Sequence, residues 1–262
     1  MSLVVIDPGH GGSDSGAVSG SYREKDFNLK IALKARDYLL NHYHVSVMMT
    51  RTSDTTISLS KRTDIANQNA ADYFCSIHIN AGGGTGWESY IYNGTVSSIT
   101  LKAQDIIHAT VMDAIGSKYG VRDRGQKRAN FHVVRETRMP AILLENLFID
   151  TSRDLNLLRN NSFIQDLGQA IGLGIAKALN LSKKDAKYYK VIAGSFRNLS
   201  NARDREAYLE SNKIQSLIVQ VEVDGQTYYR VQAGAFQSKQ NAEARLAEVK
   251  KLTISDVYIL YE

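Results

Sequence analysis

Cysteine is almost absent from this 262-residue chain: Cys75 is the only one. No intramolecular disulfide can form, and a cysteine-rich zinc site is excluded. Set within Tyr73-Phe74-Cys75-Ser76-Ile77, the lone thiol reads as a small buried hydrophobe in a strand, with a reactive nucleophile as the alternative. Proline is nearly as scarce, with only Pro8 and Pro140, which rules out a proline-rich linker. No apolar run approaches the roughly 20 residues of a membrane span, so membrane insertion is not expected. The N-terminal run Leu3-Val4-Val5-Ile6 is short and lacks a basic flank, so it is not a secretory signal. The expectation is a protein made in the cytoplasm that, if its substrate lies outside the cell, reaches it by lysis or by another exporter.

What is present suits a folded globular protein. At 43% hydrophobic and 23% charged, the chain can bury a core and is neither disordered nor membrane-like. Its length fits one mid-sized domain plus a small one. A net charge of +5 favours an anionic partner. The excess is too small to argue for nucleic acid, which is not expected as a partner, and cell-wall polymers are anionic as well. A monomer is expected.

Apolar periodicity gives strands over 3–6, 44–50, 73–79, 88–92, 131–134 and 142–148, and helices over 26–40, 59–70, 96–118 and 163–179. Their alternation predicts an α/β fold, a three-layer, mostly parallel sheet with flanking helices, over residues 1–180. Residues 181–187 are polar and aperiodic and are read as a linker. A repeat follows. Tyr188-Tyr189-Lys190-Val191-Ile192-Ala193-Gly194-Ser195-Phe196 returns as Tyr228-Tyr229-Arg230-Val231-Gln232-Ala233-Gly234-Ala235-Phe236. Each copy reads strand, helix, strand, so residues 188–262 should form a small βαββαβ, ferredoxin-like α+β domain.

The chemistry-bearing residues sit at strand ends. His10 lies in Asp7-Pro8-Gly9-His10-Gly11-Gly12 and His78 precedes Asn80-Ala81-Gly82, where small residues let backbone approach a ligand closely. His42, His44 and His108 read as surface or satisfied core histidines. His132, at the start of a strand near Glu145, is a reserve candidate. Glu145 interrupts an apolar run, which is costly unless the charge is paired with an arginine or functional. Glu24, before the first helix, is on local grounds an ordinary helix-start acid.

The joint pattern Ile6-Asp7-Pro8-Gly9-His10-Gly11-Gly12, Glu24, His78-Ile79-Asn80-Ala81 and Met139-Pro140-Ala141-Ile142-Leu143-Leu144-Glu145 resembles the zinc-dependent N-acetylmuramoyl-L-alanine amidases of the Amidase_3 type. The resemblance implies Zn2+ held by His10, Glu24 and His78, with Glu145 catalytic, Asn80 at the substrate and His132 in a structural or substrate-side role. It implies hydrolysis of the amide between N-acetylmuramic acid and the L-alanine of the peptidoglycan stem peptide. Leu147 stands where the family has a small residue, and Asp150-Thr151 replace Ser-Asn; both bear on groove shape. The repeat resembles the SPOR domain, which implies binding to peptidoglycan glycan strands. Alternation in its strands places Tyr188, Lys190, Tyr228, Arg230 and Gln232, with Ile192, on the open sheet face. Together these imply a lytic enzyme, a phage endolysin or a sporulation autolysin. The alternative is an inactive amidase-like domain acting as a wall-binding protein. A nucleotide-binding reading of the first glycine-rich turn fails, because the turn lacks a Gly-Lys-Ser/Thr ending and Gly-x-Gly-x-x-Gly spacing.

Overall fold

A computed structural model describes residues 1–185 and 187–262, so Ala186 of the expected linker lies outside the described residues. The chain divides into two compact units, Met1–Lys184 and Asp185–Glu262.

The first unit runs β1 (Leu3–Pro8), β2 (Val18–Ser19), β3 (Tyr22–Arg23), α1 (Glu24–His42), β4 (Ser46–Met49), α2 (Leu59–Gln68), β5 (Tyr73–Asn80), β6 (Trp87–Tyr92), α3 (Ser98–Tyr119), β7 (Asp123–Ala129), α4 (His132–Arg135), β8 (Ala141–Phe148), α5 (Ser152–Leu158) and α6 (Asn161–Ala178). Six strands form one sheet in the order β4-β1-β5-β8-β6-β7. Every neighbouring pair is parallel except β6 with β8. Alternation along the strands feeds two cores. Val4, Ile6, Cys75, Ile77, Ile142 and Leu144 face α1, α3 and α6, while Val5, Phe74, Ala141 and Leu143 face Ala66 of α2 and Val133 and Val134 of α4. Ser58, Ser97 and Asn160 cap α2, α3 and α6 with side-chain oxygens that accept backbone N–H groups.

The strand expected over 131–134 is corrected. His132 opens the short helix α4, and the strand lies upstream at Asp123–Ala129. Edge strand β7 carries Asp123-Arg124-Gly125-Gln126-Lys127-Arg128, whose polarity masks it, while Val133 and Val134 are buried from a helix. Glu24 is the first residue of α1 rather than preceding it. Residues 182–184 pair with the α1–β4 turn, through His44 N to Ser182 O and Lys184 N to His42 O, so the first unit reaches Lys184 rather than ending at residue 180.

The second unit has β9 (Tyr189–Phe196), α7 (Leu199–Ser211), β10 (Leu217–Val223), β11 (Gln226–Phe236), α8 (Lys239–Lys250) and β12 (Tyr258–Tyr261). Its antiparallel sheet has the order β10-β11-β9-β12. Val191, Ala193, Val231 and Ala233 pack with Ala202 and Leu209 of α7 and Ala242 and Val249 of α8. The repeat is structural as well as sequential. Gly194 and Gly234 occupy equivalent register shifts with φ of 119° and 127°, and the rings of Phe196 and Phe236 close over them.

Candidate metal centre and active site

The C-terminal ends of β1, β5 and β8 converge, as ligand-bearing edges of parallel sheets do. β1 leads into His10, β5 carries His78, β8 carries Glu145, and the β2–β3 hairpin delivers Glu24 at the start of α1. His10, Glu24 and His78 each offer one donor atom, and the three donors lie within 4.8 Å of one another. His10 Nε2 is 3.2 Å from Glu24 Oε2 and His78 Nδ1 is 3.0 Å from Glu24 Oε1. A tetrahedral zinc with bonds of about 2.0–2.1 Å has ligand atoms about 3.3 Å apart. Two imidazoles and one carboxylate at this spacing therefore fit zinc.

Each donor is aimed by a neighbour. Asp14 Oδ2 lies 2.8 Å from His10 Nδ1. An ionised carboxylate only accepts, so Nδ1 carries the proton and Nε2 is left for a metal. Ile79 N and Asn28 Nδ2 donate to Glu24 Oε1, at 3.0 and 3.2 Å, and Ala17 N donates to Oε2 at 2.9 Å. Gly9 is required by close approach, since a Cβ there would lie 2.2 Å from His78 Cε1. His10 itself has φ of 60°, a left-handed conformation costing a non-glycine residue roughly 1–2 kcal/mol. Buried Arg62 holds that turn, donating to the carbonyls of Pro8 and His10 and to Asp7 Oδ1.

The charges follow from these contacts. Burial alone would lower the His10 pKa, but the hydrogen bond and charge of Glu24, then Asp14, raise it to about 9. Glu24 is held well below the usual carboxylate range, its burial outweighed by His10 and His78. Glu145, across the strand from His78, has no paired cation among the described residues. Its Oε2 is buried without a partner, and burial, then the charges of Glu24 and Glu88, lift its pKa to about 7 against the opposing pull of His78. That is the range a general base and acid needs at neutral pH.

Two expectations follow. Asp14→Ala should weaken metal binding by about 10–100-fold, as loss of an outer-sphere partner does, with little change in the melting temperature of the metal-free protein, because Asp14 is exposed; competition titration and thermal melts check both. A raised histidine pKa also fixes a sign. The His10 contribution to metal-free stability is complete below the unfolded value near 6.5 and is lost as pH rises through about 9. Metal must displace the same proton, so affinity should climb over that window while metal-free stability falls. Melts from pH 6 to 10 with and without zinc should diverge accordingly.

Asn80 lies at the end of β5, where its side chain donates to Glu88 Oε1 at 2.8 Å. His132 lines a cavity of about 480 Å³ with His10, His78, Phe131 and Leu143, and its Nε2 is buried without a partner. His108 is a core histidine, held between Ser89 Oγ and Asp123 Oδ1, and Ser89 is fully buried. Cys75 is likewise fully buried, its thiol pKa pushed up by burial. Leu147 is fully buried with φ of 73°. Burying a leucine is worth about 1.5–3 kcal/mol, enough to offset the roughly 1–2 kcal/mol of left-handed strain. Asp150 accepts from Gly82 N and Gly83 N, and Thr151 Oγ1 donates to Gly84 O, so these residues pin the triple-glycine loop. Sequence reasoning missed Asp14, Glu88, Arg124 and Lys127. The usable signals were a carboxylate four residues after His10 in its own turn, and a second glutamate, Glu88, inside an apolar strand.

In the second unit, Tyr228, Arg230 and Gln232 share one face of β11. Tyr188 pairs its backbone with Glu262 just outside β9, and Lys190 donates to Glu262 Oε1 at 2.9 Å. Tyr228 lies beneath the Arg197 guanidinium. Ile192, expected on the open face, is only 1% exposed, because Gln232 and Tyr258 flank it across both neighbouring strands. Tyr258, 40% exposed and bonded to Ser195 Oγ, is an aromatic on this face that the repeat did not reveal, since β12 has no matching tyrosine in the first copy.

Residues 4–177 match the N-acetylmuramoyl-L-alanine amidase family and residues 185–260 match the SPOR domain. The chain is 47% identical over 220 residues to the N-acetylmuramoyl-L-alanine amidase CwlM of Bacillus licheniformis, covering 84% of this chain and 85% of that protein. It is 46% identical to the sporulation-specific N-acetylmuramoyl-L-alanine amidase of Bacillus subtilis, with the same coverage, and 41% identical to the endolysin of Bacillus phage SPP1, covering 85% and 78%. Among solved structures, the catalytic domain of CwlV from Bacillus (Paenibacillus) polymyxa var. colistinus superposes with a TM-score of 0.64 at 36% identity, over 70% of this chain and all of that one.

Proposed function

The chain belongs to the N-acetylmuramoyl-L-alanine amidase family, and from that premise we propose that it is a zinc-dependent amidase in which His10, Glu24 and His78 hold the metal and Glu145 moves the proton. Peptidoglycan hydrolysis is the activity of this chain as a member of that family. The observation that carries the finer reading is the three-donor cluster with Glu145 one strand away from His78.

When bound, zinc supplies a Lewis acid that polarises the amide carbonyl and acidifies water. Glu145 accepts the proton of the attacking water on its carboxylate, which makes no hydrogen bond among the described residues. It then returns that proton to the nitrogen of L-alanine as the amide bond breaks. Asp14 keeps His10 in the tautomer that ligates through Nε2. Arg62, through the His10 carbonyl, holds the strained turn that presents the ring. Burial of Glu145 keeps its proton affinity high enough to serve as acid after serving as base.

The SPOR unit directs the enzyme to glycan strands. Tyr188, Lys190, Tyr228, Arg230 and Gln232 present aromatic faces for stacking on sugars and polar groups for their hydroxyls and amides. The protein acts at the cell wall after release by lysis or a holin-type route. The test is wall hydrolysis with and without a chelator. Clearing of purified walls should stop with the chelator and return with added zinc; hydrolysis that persists after metal removal overturns zinc dependence.

A further inference from the structure

Glu88 stands opposite Glu145 in the antiparallel pair of β6 and β8, which places the two Cα atoms about 4.5–5.5 Å apart. Two like charges so placed repel, and Glu88 is only 1% exposed. It is therefore heavily compensated. Asn80 and Tyr90 donate to Oε1 at 2.8 and 3.0 Å, and Arg124 Nε at 2.8 Å and Lys127 Nζ both donate to Oε2. Two cations converge on this one carboxylate at the rim of the reaction centre, and each keeps donors that it does not spend on Glu88.

Both cations come from edge strand β7 and keep 26% and 35% of their side chains exposed. Arg124 spends only Nε on Glu88, so its two terminal nitrogens remain free as a planar fork among the described residues. The ring of Phe148, 4.8 Å from the guanidinium, fixes the plane of that fork.

We propose that Arg124 and Lys127 form a carboxylate-reading subsite that grips the α-carboxylate of the second stem-peptide residue, a group that is free where that residue is joined onward through its side-chain carboxyl. The proposal rests on the amidase reading above. Glu145 must lie beside the nitrogen it protonates, so the departing peptide, and not the sugar, runs along the Glu88 side. The Cα of the second residue follows that of alanine by about 3.8 Å, which puts its carboxylate on the order of 6 Å from the leaving nitrogen. A cross-strand step from Glu145 to Glu88 followed by an ion pair covers the same span. A guanidinium fork with a neighbouring ammonium selects a carboxylate over its uncharged amide.

The experiment uses the zinc-loaded full chain on two peptidoglycan preparations that differ only in whether that α-carboxyl is free or amidated. Wild-type kcat/KM should favour the free acid by about tenfold to a hundredfold, as hydrogen bonds to a charged group do, and Arg124→Gln and Lys127→Met should each pull the ratio toward one. Equal wild-type rates on the two preparations overturn the subsite without any variant, and an undiminished ratio in both folded variants overturns the residue assignment. Failure to release stem peptide from either preparation would instead remove the amidase reading, and the subsite with it.

Discussion

Glu145→Gln is expected to lower turnover on peptidoglycan by on the order of 10³–10⁴-fold while zinc content stays at the wild-type value. A positioned general acid–base contributes about 10²–10⁴-fold, and one carboxylate here serves two proton transfers, which puts the loss at the upper end. Glutamine keeps the shape of the buried side chain but cannot accept the proton. Stability should move the other way. A carboxylate whose folded pKa is raised to about 7 binds its proton more tightly in the folded state, so between the ordinary value near 4.5 and 7 it loses stability as pH rises. Above pH 7 its ionised form is a net cost in the metal-free protein, and the glutamine variant should melt at or above wild type there. Kinetics, metal analysis and a melt on one preparation check all three; loss of zinc in this variant would make Glu145 a ligand and undo the division of roles.

His10→Ala should fail in the opposite manner, losing the metal first and turnover as a consequence. It deletes one of three donors rather than an outer partner, so affinity should fall by more than the roughly 100-fold that marks the upper limit for outer-sphere losses. The variant should stay folded, because the ring is partly exposed and the turn remains held by Arg62 and Arg51. The two substitutions thus separate chemistry from metal holding: one protein loaded and inert, the other folded and empty. Zinc retained at wild-type affinity in His10→Ala would exclude His10 as a ligand.

Much of this site was legible because its parts announce themselves locally. His10 and His78 each end a buried strand beside glycines, and Glu145 breaks an apolar run, so cost or geometry marks each of them. Glu24 carries no such mark; only the joint family pattern singled it out, and its depth in the site comes from the β2–β3 hairpin, whose two-residue strands are too short for a periodic signal. The long, apolar elements of the first sheet were equally readable. Strand β7 was not, because an edge strand can be polar throughout, and its register beside β6 is what brings Arg124 and Lys127 to Glu88. The glycine-rich turn that first suggests a phosphate cradle is instead a scaffold. Its carbonyls are occupied by Arg51 and Arg62, and its one non-glycine left-handed residue is a metal-ligand candidate.

The bond that is cut carries the account, and mass spectra of digested peptidoglycan read it directly. The zinc-loaded protein should release stem peptides that begin with a free L-alanine amine and leave glycan strands of undiminished length. Disaccharide fragments still carrying their peptides would show that a glycosidic bond is broken instead, and would contradict the placement of Glu145 beside an amide nitrogen.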